Sequence, residues 1–169
     1  MKKIFRRFLI VMLVILVIIQ FIRPAKNLSG ASSATDISTK YPIPDSVLKI
    51  LQVACYDCHS NNSRYPWYAA IQPVNFWMNG HIADGKSGLN FSEFAAYPIR
   101  KQYRRMDDMA KEVKDGGMPL PSYLWIHNDA RLTDSQKNML ITWATSIHDD
   151  IKTKYPPDSL ANKTNQSSN

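Results

Sequence analysis

Phe8 to Ile22 is apolar at every position except Gln20, and Lys2, Lys3, Arg6 and Arg7 precede it. A cationic head followed by an apolar stretch is the pattern of an export signal. Fifteen residues of helix would span about 22 Å, short of the ~30 Å hydrocarbon core of a bilayer. Length therefore leaves a cleaved signal and a retained anchor both open. The downstream boundary favours retention: Phe21, Ile22, Arg23 and Pro24 stand where a cleaved signal would show small residues, and a weak Ser29-Gly30-Ala31 site lies further on. We expect residues 1–26 to form a transmembrane signal anchor with its basic end inside, and the rest in the periplasm or outside. A cleaved signal and a soluble periplasmic protein is the alternative.

The next stretch, 27–40, is rich in Ser, Thr and Ala, which predicts a flexible tether. Residues 155–169 begin with Tyr155-Pro156-Pro157 and continue in Asn, Gln, Ser and Thr, a composition that predicts a disordered tail. The folded unit is then 41–154. Within it, Val47, Ile50, Leu51 and Ala54 have helical spacing behind a cap at Asp45 or Ser46, and this helix leads into Cys55. The span Trp67 to Met78 is aromatic but interrupted by Pro73, so a loop or two short helices are expected. Ile99 to Asp115 carries Tyr103, Met106, Met109, Ala110 and Val113 on one stripe, with Gly116-Gly117 to end it. Thr133 and Gln136 have capping-box spacing ahead of Met139, Leu140, Trp143, Ala144 and Ile147. No alternating run competes, and the fold class is mainly α.

Composition narrows the reading further. Hydrophobic residues are 44% of the 169-residue chain, enough for a globular core and too few for a polytopic membrane protein. The net charge of +7 suggests a polyanion partner until it is divided. Six of the 21 basic residues precede Asn27 and no acid does, so 15 bases face 14 acids in the remainder. Nucleic-acid binding thereby loses its electrostatic basis.

The only two cysteines stand in Cys55-Tyr56-Asp57-Cys58-His59, the C-x-x-C-H attachment motif of c-type haem. Two thiols at this spacing can add to the two porphyrin vinyl groups, and the adjacent imidazole of His59 can ligate iron. A thioredoxin-type pair would want a βαβ context, a zinc site would want more ligands, and a plain disulfide would leave His59 idle. One covalent haem c is expected. For the distal iron ligand, Met118 leads, because Gly116-Gly117 and Pro119-Leu120-Pro121 enclose it in a stiff loop. His81 is the main alternative and His127 a weaker one. His148 is expected to be solvated, and Met106 and Met109 to be core. Arg64 and the group Arg100, Lys101, Arg104 and Arg105 could meet haem propionates or an acidic redox partner, although the group reads chiefly as a solvated helix face.

Cys55 to Asn62, then Tyr65-Pro66-Trp67-Tyr68, Asn90-Phe91-Ser92-Glu93, Met118-Pro119-Leu120 and Leu132-Thr133 together resemble the haem-binding domain family of exported bacterial proteins. These are single-haem chains similar in layout to small cytochromes c, and the resemblance runs from Ile43 to Ile147. It implies a cytochrome c-like helical domain wrapped around one haem attached at Cys55 and Cys58, with His59 proximal and Met118 in the usual distal position. Phe76 to Ala96 departs from simple cytochromes c. The expected function is a membrane-tethered single-haem electron carrier on the outer side of the cytoplasmic membrane, its redox partner unnamed. A haem-based sensor or small-ligand binder with an open distal position is the alternative. No enzymatic activity is expected, since a peroxidase would want a second haem and an acid/base constellation.

Overall fold

The computed structural model of the chain describes residues 1–30 and 33–161. Its helices are α1 (Lys2–Ile19), α2 (Asp45–Ala54), α3 (Tyr56–His59), α4 (Val74–Gly88), α5 (Ile99–Asp115), α6 (Asp134–Lys154) and α7 (Pro157–Leu160). Short 3-10 turns join them, and no strand occurs among the described residues beyond an isolated bridge between Leu28 and Asn62. The chain is mainly α, as its periodicity predicts.

The core forms where α5 and α6 pack along their length and α2 closes over α6. Met106, Met109 and Val113 of α5 meet Leu140, Trp143, Ala144, Ile147 and Ile151 of α6, with Val47, Ile50 and Leu51 from α2. Phe91 and Phe94, from the 3-10 turn Phe91–Ala96, fill the centre and are fully buried. Each such side chain contributes about 1.5–3 kcal/mol of transfer free energy. The predicted ends hold for two helices. Gly116 closes α5 in the left-handed conformation (φ 76°), and α6 starts with the Thr133/Gln136 capping box.

Several expectations are corrected. Pro73 does not interrupt a helix but precedes one: α4 starts at Val74 and runs 15 residues. Proline is tolerated there because the first helical turn needs no donor from it. The segment 27–40, expected as a tether, is fastened to the domain by its polar side chains. Asn27 donates from Nδ2 to the Ser60 carbonyl and the Ser63 hydroxyl, both at 2.8 Å, and accepts from Lys86 Nζ at 2.6 Å. Ile37 is fully buried in the core. Residues 31–32 lie outside the described part. In the expected tail, α7 packs on α5, Leu160 is buried and Arg100 donates to the Ala161 carbonyl. Residues 162–169 lie outside the described part.

The N-terminal expectation also changes. α1 carries four cations in its first two turns and stops at Ile19, so its uninterrupted apolar length is only Phe8 to Ile19. No helix among the described residues is long and apolar enough to cross a membrane. α1 nonetheless buries none of its side chains against the rest of the chain.

Candidate functional site

α2 breaks at Cys55 (φ −128°, ψ −42°), and α3 restarts at once, its amides at Cys58 and His59 donating back to the Cys55 carbonyl. This one-turn helix sets both thiols and His59 on a tight loop under α4. Gly85 of α4 makes the contact possible: a Cβ there would stand 2.7 Å from the Cys58 carbonyl oxygen.

His59 is oriented by the backbone. Its Nδ1 lies 2.8 Å from the Leu89 carbonyl oxygen, which can only accept, so Nδ1 carries the proton and Nε2 the lone pair. Burial pushes the imidazole below its ordinary pKa, against the opposing pull of the Leu89 and Gly85 carbonyls. The ring is thus kept neutral. Cys55 and Cys58 are free thiols. Burial, reinforced by the neighbouring Cys58, pushes Cys55 up to about 12; burial and Asp57 push Cys58 up to about 11. Both therefore keep their S–H protons at neutral pH.

Two adjoining cavities open on this turn. The larger, about 410 Å³, takes in Cys55, His59, Leu89, Met109 and Met118; the other, about 330 Å³, takes in Cys58, His59, His81, Met118 and Tyr123. His59 and Met118 line both. Met118 is placed by the end of α5: beyond the left-handed Gly116, the amides of Gly117 and Met118 both donate to the Glu112 carbonyl, at 2.9 and 3.2 Å.

The structure sorts the other candidates. His81 sits on α4, in the second cavity and edge-on to Trp77 with ring centres 4.4 Å apart. His127 lies outside both cavities, stacked on Tyr123 at 4.1 Å and 2.6 Å from the Tyr68 hydroxyl. His148 is half-buried and only partly solvated, because α5 brings Tyr103 to stack on it at 4.1 Å while Asp149 lies 3.0 Å from its Nδ1. Met106 is core as expected, whereas Met109, also well buried, shows one edge to the larger cavity. Arg105, held by Asp108 at 3.0 Å, lines that cavity too.

Asp57 was legible only as a spacer of the motif, and the structure gives it a task. Buried beneath the turn, its carboxylate accepts from Arg64 Nε at 3.2 and 3.1 Å, from the Arg64 amide at 2.9 Å and from the Tyr123 hydroxyl at 2.7 Å. The bonds to Asp57 hold the Arg64 guanidinium above its ordinary pKa, and burial together with Asp57 raises the Tyr123 phenol. The network ties the Cys55–His59 turn to the segment that follows Met118. Arg64, seven residues from an acid inside an otherwise neutral loop, was the available signal.

Comparison with protein families adds one match: a model described as a haem-binding domain covers residues 14–146. The chain belongs to the haem-binding domain family. No curated protein and no solved structure matches it. As a haem-binding domain, the chain has a donor set that fits the group. A neutral imidazole has its metal-facing nitrogen chosen by a carbonyl, two protonated thiols flank it, and apolar walls from Phe91, Val113 and Leu120 line the adjoining space. Fixing a histidine through its second nitrogen is how proteins orient metal-binding imidazoles.

Proposed function

We propose that this haem protein holds one covalent haem c and serves as a single-haem electron carrier, tethered to the outer side of the cytoplasmic membrane through α1. The observation that carries the reading is the bond from His59 Nδ1 to the Leu89 carbonyl, which leaves Nε2 as a lone-pair donor beside two protonated thiols. Cys55 and Cys58 would hold the porphyrin edge, His59 would be the proximal ligand and Met118 the distal one. When bound, haem supplies a one-electron couple. Met118 is the better distal candidate because it lines both cavities with His59, while His81 lines one. Asp57, Arg64 and Tyr123 keep the turn and the Met118 segment in register. The tether is supported by a cationic start and an apolar α1 that buries no side chain within the chain.

The test is to mature the full chain with haem, extract it with acidified organic solvent, and expose the reduced protein to carbon monoxide. Pigment should stay with the polypeptide, and carbon monoxide should bind slowly or not at all. Extractable pigment would reject thioether attachment. Rapid stoichiometric binding would reject a filled distal position and favour a ligand sensor.

A further inference from the structure

The chain exposes a set of aromatic and aliphatic side chains that line neither of the two cavities beside His59. Trp67 is 79% exposed, Trp125 80%, Ile126 63% and Trp77 51%, with Ile71 and Phe76 beside them. Large exposed apolar patches on a soluble surface mark contacts with something else. These residues come from three separate segments, yet they are joined. Trp67 meets Tyr68 edge-on, Tyr68 bonds to His127, and His127 follows Trp125 and Ile126. Tyr68, Trp77 and Ile126 share the lining of one small pocket.

The patch lies at the foot of α1. Gln20, the residue that ends α1, exchanges two hydrogen bonds with Gln72, donating to its carbonyl at 3.2 Å and accepting from its amide at 3.0 Å. The buried Gln72 side chain donates to the Ile22 carbonyl at 2.7 Å and accepts from the Phe76 amide at 3.2 Å, while Arg23 donates to the Ala70 carbonyl. The apolar helix is therefore bonded to the very segment, 70–76, that carries Ile71 and Phe76.

We propose that this face, Trp67, Ile71, Phe76, Trp77, Trp125 and Ile126, rests in the interfacial layer of the same lipid bilayer that receives α1. The proposal rests on the tether reading. Continuity with α1 selects lipid over a soluble partner: if α1 enters a bilayer, a patch bonded to its last turn is held at headgroup depth. Tryptophan is the side chain best suited to that depth, with an apolar body and an N–H that stays hydrated. Arg23 and Lys26, between α1 and the domain, add the positive charge that anionic headgroups attract.

The experiment uses the full haem-loaded chain in phosphatidylethanolamine/phosphatidylglycerol vesicles containing a phospholipid with a diazirine near its headgroup. After illumination, lipid adducts are mapped by mass spectrometry. Peptides carrying Trp67, Ile71 to Trp77 and Trp125 should be labelled several-fold above those of α6, whose neighbours are α5 and α2. Changing Trp67→Asp and Trp125→Asp together should lower labelling of the 71–77 peptide several-fold and leave adducts on α1 unchanged. Adducts confined to α1 would overturn the docking face while the tether stands, as they would if a second copy or a protein covered the patch. Absence of adducts on α1 would overturn both.

Discussion

At the scale of single residues, the carbonyl of Leu89 decides what His59 can do. Because the acceptor is backbone, no side-chain substitution at position 89 removes it, and the imidazole tautomer is a property of the fold. On the proposed reading the distal side has no such guarantee and would depend on the Met118 side chain. Met118→Ala should lower the midpoint potential of the haem-loaded protein, since a thioether stabilises ferrous iron, and should open the iron to carbon monoxide. His81→Ala should change neither. A spectroelectrochemical titration of the two variants checks this, and the reverse pattern would hand the distal role to His81. The motif Cys55 to His59 was legible in the sequence because its chemistry is local. Asp57, Met109 and Tyr123 were not, because their partners lie on other elements: Tyr123 is 66 residues from the carboxylate it bonds.

Among the elements, α4 was the least legible and is the most consequential for the site. Pro73 and scattered polar residues hide its start, and Gly80, Gly85 and Gly88 weaken its helical signal. One of those glycines has a packing reason. Gly85→Ala would force α4 away from the Cys58 carbonyl or distort the turn, and overpacking of this kind costs about 1–3 kcal/mol. Urea unfolding of the haem-loaded variant should show that loss, with weaker retention of visible absorbance during expression. Gly80→Ala, at an exposed position of the same helix, outside both cavities, where an added Cβ meets nothing within 4 Å, is the control and should be near neutral or stabilising. By contrast the bounds of α5 and the start of α6 were legible to the residue, since a left-handed glycine and a capping box are signals that local chemistry alone can deliver.

For the whole molecule, buried phenols set an alkaline limit. Burial pushes Tyr41 up to about 12 and also raises Tyr56 and Tyr123 above their ordinary value of 10.0. The folded chain keeps these protons after the unfolded chain has lost them, so ionisation favours unfolding as pH rises through 10. Denaturation midpoints should be level between pH 7 and 9 and fall above pH 10. Tyr41→Phe should blunt the fall, at the expense of the bond from its hydroxyl to Gln102. A midpoint that holds beyond pH 11 would show that these rings are wetter than their packing indicates. The fold class and most of the core could be read from periodicity, but not the limits of the core, since Ile37 and Leu160 join it from outside 41–154. The fastening of 27–40 could not, because Ser, Thr and Asn signal a free chain and a hydrogen-bonded one alike until their partners are placed.

That fastening has a spatial consequence. With Gln20 bonded to Gln72 and Asn27 gripped by Ser60, Ser63 and Lys86, the polypeptide from the end of the first helix to Asn27 is fastened to the domain at both ends and has no slack to pay out. On the proposed reading, the haem site is a fixed post and not a swinging arm. A molecule exchanging electrons with it would then have to travel the remaining distance itself, so that lateral encounter, and not reach, would govern how fast the exchange could run.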